Sequence, residues 1–224
     1  MKKLISAIIA SFFIGSFALA ETSIGVKISA ANMDASGSHT TNSSSGGSGG
    51  AAVNASGESD FSVASFFIEK STEVRGINLS LGIDVIPFTA EVDKLGGGNG
   101  FDATVEVGNV MTAYIQPTFN AGGDVSLFLK AGVTSGDVDI TDISRQATTA
   151  GTASTDGNTG KSLDGVMFGV GAQMNTDGGF VRLEGTVTDF DEISHTNSNG
   201  KIVKADAELT LISLSRLKLA LRLL

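Results

Sequence analysis

In several segments of this sequence, single charged side chains stand between apolar residues that recur at every second position. In the run DVSLFLKAGVT (Asp124–Thr134), for example, Lys130 stands between Leu129 and Ala131. Ion pairing is the chemistry open to such residues, because a buried charge is tolerated only when an opposite charge meets it. The charges of this kind have both signs: Lys27, Asp84, Glu106, Lys130, Arg182, Glu184, Asp206 and Glu208. We expect them to face one interior and to pair across it.

Two acidic groups and two histidines are further candidates for chemistry. Clustered carboxylates suit Ca²⁺ or Mg²⁺, and such clusters occur within 137–142 and 189–192. We interpret both as acidic rims in water, since neither has the glycine and the distal glutamate of an EF-hand loop. His39 and His195 lie near serines, which is the pairing of a nucleophile and its base, but both fall in polar, loop-like sequence. We therefore expect no catalytic activity, no metal ion and no cofactor.

The elements that hold these residues are predicted to be β-strands. Apolar and polar residues alternate in about eight segments, which begin near residues 24, 61, 77, 103, 125, 166, 181 and 204. Side chains of a strand point alternately to its two faces, so each segment has one apolar face and one mixed face. The apolar face points inward in a soluble barrel and outward in a membrane barrel. In the eighth segment, we expect the apolar face to comprise Ala205, Ala207, Leu209 and Leu211.

The connections between the segments favour the membrane barrel. Long polar connections, such as the one from Met33 to Asp60, alternate with short ones such as STEVRG and NAGGD. Transmembrane barrels have short periplasmic turns and longer extracellular loops. The apolar runs also match the 9–11 residues that a tilted strand needs to cross a bilayer. We predict one closed antiparallel barrel over residues 21–224, with the apolar faces in lipid and the charges inside.

Residues 1–20 read as a secretory signal peptide. They have a basic start at Lys2 and Lys3, an apolar run, and the small residues Ala18 and Ala20 before Glu21. The sequence has a net charge of −9, which becomes −11 without the two lysines, and this excess of acid argues against a nucleic-acid partner. The chain has no cysteine, so no disulfide supports the fold.

This combination of signal peptide, eight alternating strands, short turns and long loops resembles the small eight-stranded outer-membrane barrels of Gram-negative bacteria, of the outer-membrane protein A and X type. The segments GDVSLFLKAGV and LDGVMFGVGAQM are similar to strands of that superfamily. The resemblance implies a place in the outer membrane and contact with lipid and lipopolysaccharide. It also implies handling by the barrel-insertion machinery. The sequence leaves the oligomeric state open, and we favour a monomer.

The expected function follows from the size of the barrel. Eight strands enclose an interior that side chains about fill, and large inward residues such as Tyr114, Phe128 and Phe180 fit that description. We therefore expect an envelope protein with a structural role that presents loops for surface interaction. The alternative is a narrow pore for ions or small polar solutes. The C-terminal run RLKLALRLL (216–224) leaves two possibilities open, the end of the last strand or a basic interfacial helix.

Overall fold

The computed structural model describes residues 21–40, 53–92, 101–145, 159–177, 179–196 and 202–221. Every regular element in these ranges is a β-strand. The described residues include no helix that is long and apolar enough to cross a membrane. The segment predicted to be a signal peptide, 1–20, lies outside them, so its cleavage stays a prediction.

Within the described ranges, ten strands make up one antiparallel sheet. They are β1 (Glu21–Thr40), β2 (Val53–Val74), β3 (Ile77–Ile86), β4 (Ala90–Val92), β5 (Phe101–Gly122), β6 (Val125–Arg145), β7 (Thr159–Thr176), β8 (Gly179–Phe190), β9 (Ile193–Thr196) and β10 (Ile202–Leu221). Six of them have 18 residues or more. These are about twice as long as the roughly 9–11 residues that cross a bilayer.

The sheet closes on itself. Its strand order is β1-β2-β3-β5-β6-β7-β8-β10, and β10 pairs again with β1. The two short strands continue interrupted neighbours, because β4 pairs with β5 beyond the end of β3 and β9 pairs with β10 beyond the end of β8. The ring therefore has eight positions around its circumference, and the prediction of a closed barrel of about eight strands is confirmed.

Short turns join strands at one end of the barrel, here called the turn end. Arg75 and Gly76 link β2 to β3 with φ angles of 53° and 82°. Positive φ at both central residues is the type I′ geometry, whose twist matches that of the flanking strands. The β5–β6 turn has Gly122 and Gly123 at positive φ as well. The first residue of β1 and the last of β10 lie at this same end, which an even number of strands requires.

In the half of the barrel near the turn end, the apolar side chains point outward. Leu127 and Leu129 on β6 are 52% and 54% exposed, whereas Lys130 between the apolar residues is 4% exposed. The same pattern runs around the ring, with exposed apolar side chains at Ile24, Val26, Ile28, Phe66, Ile115, Val166, Phe168, Val170, Leu183, Val187, Ile212 and Leu214. This apolar band surrounds a polar interior, as expected for strands in lipid.

In the half near the longer connections, here called the loop end, the arrangement is reversed. The interior there is an apolar cluster of Ala31, Met33, Val107, Val110, Val138, Leu163, Phe190, Leu209 and Leu211. The outward positions of the same strands are polar, for example Asn32 and Asp34 on β1. The longer strands thus change their apolar face along their length, and the loop end is built like a soluble barrel.

This reversal corrects the prediction for the eighth segment. Leu209 and Leu211 point into the barrel with 6% and 7% exposure, whereas Ile212 and Leu214 belong to the outer band. The apolar stripe changes face between Leu211 and Ile212, where two consecutive apolar residues hide the switch in the sequence. The alternation predicted one continuous outward face and therefore assigned this part of β10 to the wrong side.

The strands also extend further toward the loop end than predicted. Residues 33–60 read as one long connection, but β1 continues to Thr40 and β2 begins at Val53. The backbone pairs in register over these residues, for example Asp34 with Glu58. Their outward side chains face water and are polar, so the apolar stripe that marks the membrane strands is missing there.

The C-terminal run forms a strand over its described part. β10 pairs with β1 up to Leu221, which lies opposite Thr22. The strand alternative is therefore confirmed for residues 216–221, and residues 222–224 lie outside the described ranges.

Candidate functional site

The structure brings five of the eight predicted interior charges into one layer of the barrel. They are Lys27, Asp84, Lys130, Arg182 and Glu184, and each is at most 7% exposed. The layer lies at the height of the apolar band, because β6 places Lys130 next to the exposed Leu129. The strands position these residues simply by alternation, since every second residue of a strand faces inward.

Glu184 is shared by two lysines. Its Oε1 accepts a hydrogen bond from Lys27 Nζ at 2.8 Å, and its Oε2 accepts one from Lys130 Nζ at 2.8 Å. Lys27 also pairs with Asp84 Oδ2. The Glu184 side chain is 1% exposed, so these contacts are formed out of water. Each lysine is thereby held by a carboxylate from another strand.

Arg182 forms a second pair with Glu69. Its Nη1 and Nη2 donate to Glu69 Oε2 and Oε1 at 3.1 and 2.9 Å, a two-pronged geometry that the planar guanidinium favours. Arg182 Nη2 also donates to Gln173 Oε1 at 2.8 Å. The guanidinium lies 4.4 Å from the ring centre of Phe180 and 5.1 Å from that of Phe128. Cation–π contact thus adds to the ion pair.

Tyr114 connects the two groups. Its hydroxyl donates to Glu69 Oε2 at 3.0 Å, and Lys130 Nζ lies 4.0 Å from the centre of its ring. The hydroxyl would lose this bond if Glu69 were removed, and the ring would lose the cation if Lys130 were removed. The interior contacts therefore form one continuous network from Asp84 to Gln173.

The network is electrically balanced. Among the described residues, the buried cations are Lys27, Lys130 and Arg182, and the buried carboxylates are Glu69, Asp84 and Glu184. Removing a charge from water costs several kcal/mol, and a partner must compensate that cost. Three charges of each sign satisfy the condition without leaving a net charge in the layer.

Glu69 was missed by the sequence analysis, although a signal for it exists. The adjacent Phe66 and Phe67 left the face of this segment ambiguous. The two-residue turn that follows fixes the register, because Val74 opposite Ile77 sets Glu69 opposite Gly82 and Phe67 opposite Asp84. Residues directly opposite each other in a sheet share a face, so an inward Asp84 makes Phe67 and Glu69 inward too.

Three predicted interior charges lie elsewhere, and the prediction for them is wrong. Asp206 and Glu208 are exposed on the outer side of β10, which follows from the face reversal described above. Glu106 is displaced by a bulge in β5, where Asn109 has a φ of 52° and the register shifts between Gly108 and Met111. Val107 points inward, so its neighbour Glu106 points outward.

The outward acids form a row across four strands. In register, Glu58 of β2, Asp34 of β1, Glu208 of β10 and Asp189 of β8 lie side by side, and all are exposed. Like charges directly opposite each other destabilise a sheet. Water and salt weaken this repulsion at an exposed surface. The loop end thus presents a strongly acidic outer wall.

Glycines on the inner wall let aromatic rings fill the interior. A Cβ at Gly25 would overlap the ring of Phe67, and one at Gly82 would overlap the ring of Tyr114. Gly171 leaves the same kind of space for Phe128. Phe67 and Phe180 stack with their ring centres 6.2 Å apart near the turn end. Side chains therefore occupy the cross-section of the barrel at the charged layer.

The other sequence candidates are not assembled into a site. His39 and His195 lie in strands rather than loops, and the backbones of both pair with Val203. Among the described residues, no three His, Cys, Asp or Glu side chains are grouped so that they could hold a metal ion. Glu192 of the second acidic group pairs with Lys204 at 2.8 Å on the surface.

Solved structures of outer-membrane proteins are similar to this chain. Ail, the attachment invasion locus protein of Yersinia pestis, solved with the heparin analogue sucrose octasulfate, is 11% identical, with 88% of this chain and 99% of that chain covered and a TM-score of 0.42. Neisserial surface protein A is 14% identical, with 88% and 98% covered and a TM-score of 0.42. The outer membrane protease OmpT of Escherichia coli is 11% identical, with 88% and 96% covered and a TM-score of 0.46. No protein-family model and no curated protein matches the sequence.

The match with OmpT corrects one prediction. We predicted a protein without catalytic activity, and that prediction is wrong as a conclusion from the fold, because a protease is among the barrels that this chain matches. At these identities and TM-scores the likeness carries no activity over to this chain. The closed ring and its outward apolar band nevertheless show the fold directly, and the predicted fold is confirmed: over the described residues, the chain is a small closed β-barrel with an apolar outer band around a polar interior.

Proposed function

We propose that the protein is a sealed membrane anchor that carries a rigid β-barrel extension beyond the bilayer and presents its loop end for interactions at the cell surface. The observation that carries this proposal is the reversal of the apolar face along the longer strands. A barrel that only spanned the membrane would need the outward band alone. Here the loop end has an apolar core of its own, which includes Ala31 and Leu211, and a polar outer wall.

The length of the strands supports an extension of substantial height. A strand rises about 3.3 Å per residue, so the 20 residues of β1 span about 66 Å along the strand. With a tilt of about 40°, this corresponds to about 50 Å along the barrel axis, of which an apolar band of about 25 Å lies in lipid. The remaining length, about 25 Å, holds the loops away from the membrane surface.

Two filled layers support a sealed interior rather than the alternative, a narrow pore. Ion pairs and aromatic rings fill the barrel at the height of the apolar band, and the apolar cluster fills the half near the loop end. An ion would have to break the contacts of Glu184 and then cross a layer lined by residues such as Leu209 and Val110. Hydrophobic constrictions block ion passage by excluding water.

The absence of cysteine allows a direct test of the orientation. Single cysteines at the exposed Ser36, near the loop end, and at Arg75, in a short turn, provide unique labelling sites. We expect a membrane-impermeant maleimide to label Ser36→Cys on intact cells and to label Arg75→Cys only after lysis. Labelling of Arg75→Cys on intact cells would refute the proposal that the loop end is outside.

The seal is tested by recording from planar bilayers. We expect the purified wild-type protein to give no reproducible conductance steps. Regular steps would refute the sealed anchor and would favour the narrow pore. The matched control is the triple variant Glu184→Ala/Leu209→Ala/Leu211→Ala, which opens space in both layers and shows whether the assay can detect a leak through this barrel.

A further inference from the structure

A small cavity lies between the charged layer and the apolar cluster. Its volume is about 30 Å³. Lys27, Asp84 and Lys130 form its floor on the side of the turn end, and Val110 and Leu209 form its roof on the side of the loop end. Four threonines, at positions 112, 134, 186 and 188, contribute to the sides. The larger part of the cavity wall is therefore apolar, and polar groups contribute to its floor and sides.

Asp84 has one carboxylate oxygen that the protein leaves without a partner. Its Oδ2 pairs with Lys27, but its Oδ1 is buried and has no hydrogen-bond partner among the described residues. The residue is 7% exposed and lines the cavity. A buried carboxylate oxygen needs a donor, because burial removes the hydrogen bonds that water would supply.

Donors for a ligand lie around the same space. The Lys130 ammonium has three N–H groups; it donates to Glu184 and lies over the ring of Tyr114. The hydroxyls of Thr112 and Thr134 form a hydrogen bond with each other at 2.9 Å. One hydroxyl donates its proton in that bond, and the other can still donate its own proton to a ligand. A ligand here must accept from a donor such as Lys130 and donate to Asp84.

We propose that this cavity binds internal water that completes the ion-pair network, with one molecule donating to Asp84 Oδ1. Water both donates and accepts, and an internal water usually makes two to four hydrogen bonds in a polar cavity. A single molecule needs about 10–15 Å³ on this measure, so the cavity has room for about two. An ion fits less well, because the surrounding charges are already balanced and an added charge would have no partner.

The decisive experiment is a crystal structure of the whole protein, at a resolution that shows ordered water elsewhere in the barrel. We expect a density peak within hydrogen-bond distance of Asp84 Oδ1. A cavity without a peak would overturn the proposal. Crystals soaked in bromide provide the second arm, since an anomalous peak in the cavity would identify a halide site and would also overturn it.

A pair of conservative variants tests the role of the water. Val110→Ile adds one methyl group from the roof of the cavity, and Val138→Ile adds the same group in the apolar cluster away from the cavity. We expect Val110→Ile to remove the density peak and to lower the urea midpoint of unfolding. Val138→Ile should keep the peak. A Val110→Ile variant with a raised or unchanged midpoint would show that the space was dry or that its water adds no stability, and either result overturns the proposal.

Discussion

Replacing Glu184 with Gln tests the buried network most directly. The substitution keeps the shape of the side chain and removes its charge. Both carboxylate oxygens lose their charge at once, and these oxygens accept from Lys27 and Lys130 at 2.8 Å each. Lys27 keeps its pairing with Asp84. Lys130, whose side chain is 3% exposed, keeps its contact with the ring of Tyr114 but loses its ion pair.

The expected cost follows from these remaining contacts. Breaking a buried ion pair by removal of one partner costs about 3–5 kcal/mol, because the other charge stays buried without compensation. Lys130 meets that condition fully and Lys27 only in part, whereas the amide oxygen of the substituted side chain can still accept one hydrogen bond. We therefore expect Glu184→Gln to lower the free energy of unfolding by about 3–5 kcal/mol.

Glu208→Gln is the matched control. It removes the same charge from the neighbouring strand, and both glutamates were predicted to face the interior. Glu208 is exposed, in register with Asp34 and Asp189, and has like charges on both sides. Its replacement should change stability by no more than about 0.5 kcal/mol and can even increase it slightly by reducing repulsion.

The assay is urea unfolding of the purified protein in lipid vesicles, followed by the shift in gel migration between the folded and the boiled form. Equal losses for Glu184→Gln and Glu208→Gln, or no loss for Glu184→Gln, would refute the buried network. A double variant, Glu184→Gln/Lys130→Met, provides a rescue. It removes the unpaired cation and should recover more than half of the loss, since an apolar replacement of a buried pair is often nearly neutral.

Three other substitutions test the wall of the barrel by the same assay. Arg75→Asn should raise stability by up to about 1 kcal/mol, because Arg75 has a left-handed backbone that Asn adopts at lower cost; a loss would contradict the type I′ turn. Gly171→Ala should cost about 1–3 kcal/mol through overlap with the Phe128 ring, whereas the control Gly185→Ala, with open space around it, should cost less than about 1 kcal/mol; equal effects would contradict the interior packing. Leu129→Arg should cost about 2–4 kcal/mol if Leu129 lies near the middle of the bilayer, and a negligible cost would contradict its contact with lipid.

Much of the half of the barrel near the turn end could be predicted from the sequence. Alternation predicted the outward face of β6 and the inward positions of Lys130, Arg182 and Glu184, because a strand has a strict period of two. The short turns predicted which strands are neighbours. Both signals depend only on residues close together in the chain.

The half near the loop end could not be predicted in the same way. Alternation reports that one face is apolar, but it cannot report whether lipid or a protein core lies against that face. In β10 the stripe changes sides at Leu211 and Ile212, and in β5 the bulge at Asn109 shifts the phase. Beyond either point, each charge lies on the face opposite to the one that the alternation predicts. This is why Glu106, Asp206 and Glu208 were assigned to the interior.

The sequence by itself determined that the chain forms a β-barrel with charges of both signs in its interior. Only the tertiary structure decided which charges meet, because Lys27 and Glu184 lie 157 residues apart and come together only when β1 and β10 close the ring. Glu69 became a partner of Arg182 for the same reason. Register around a closed sheet is a property of all its strands together, and no single segment contains it.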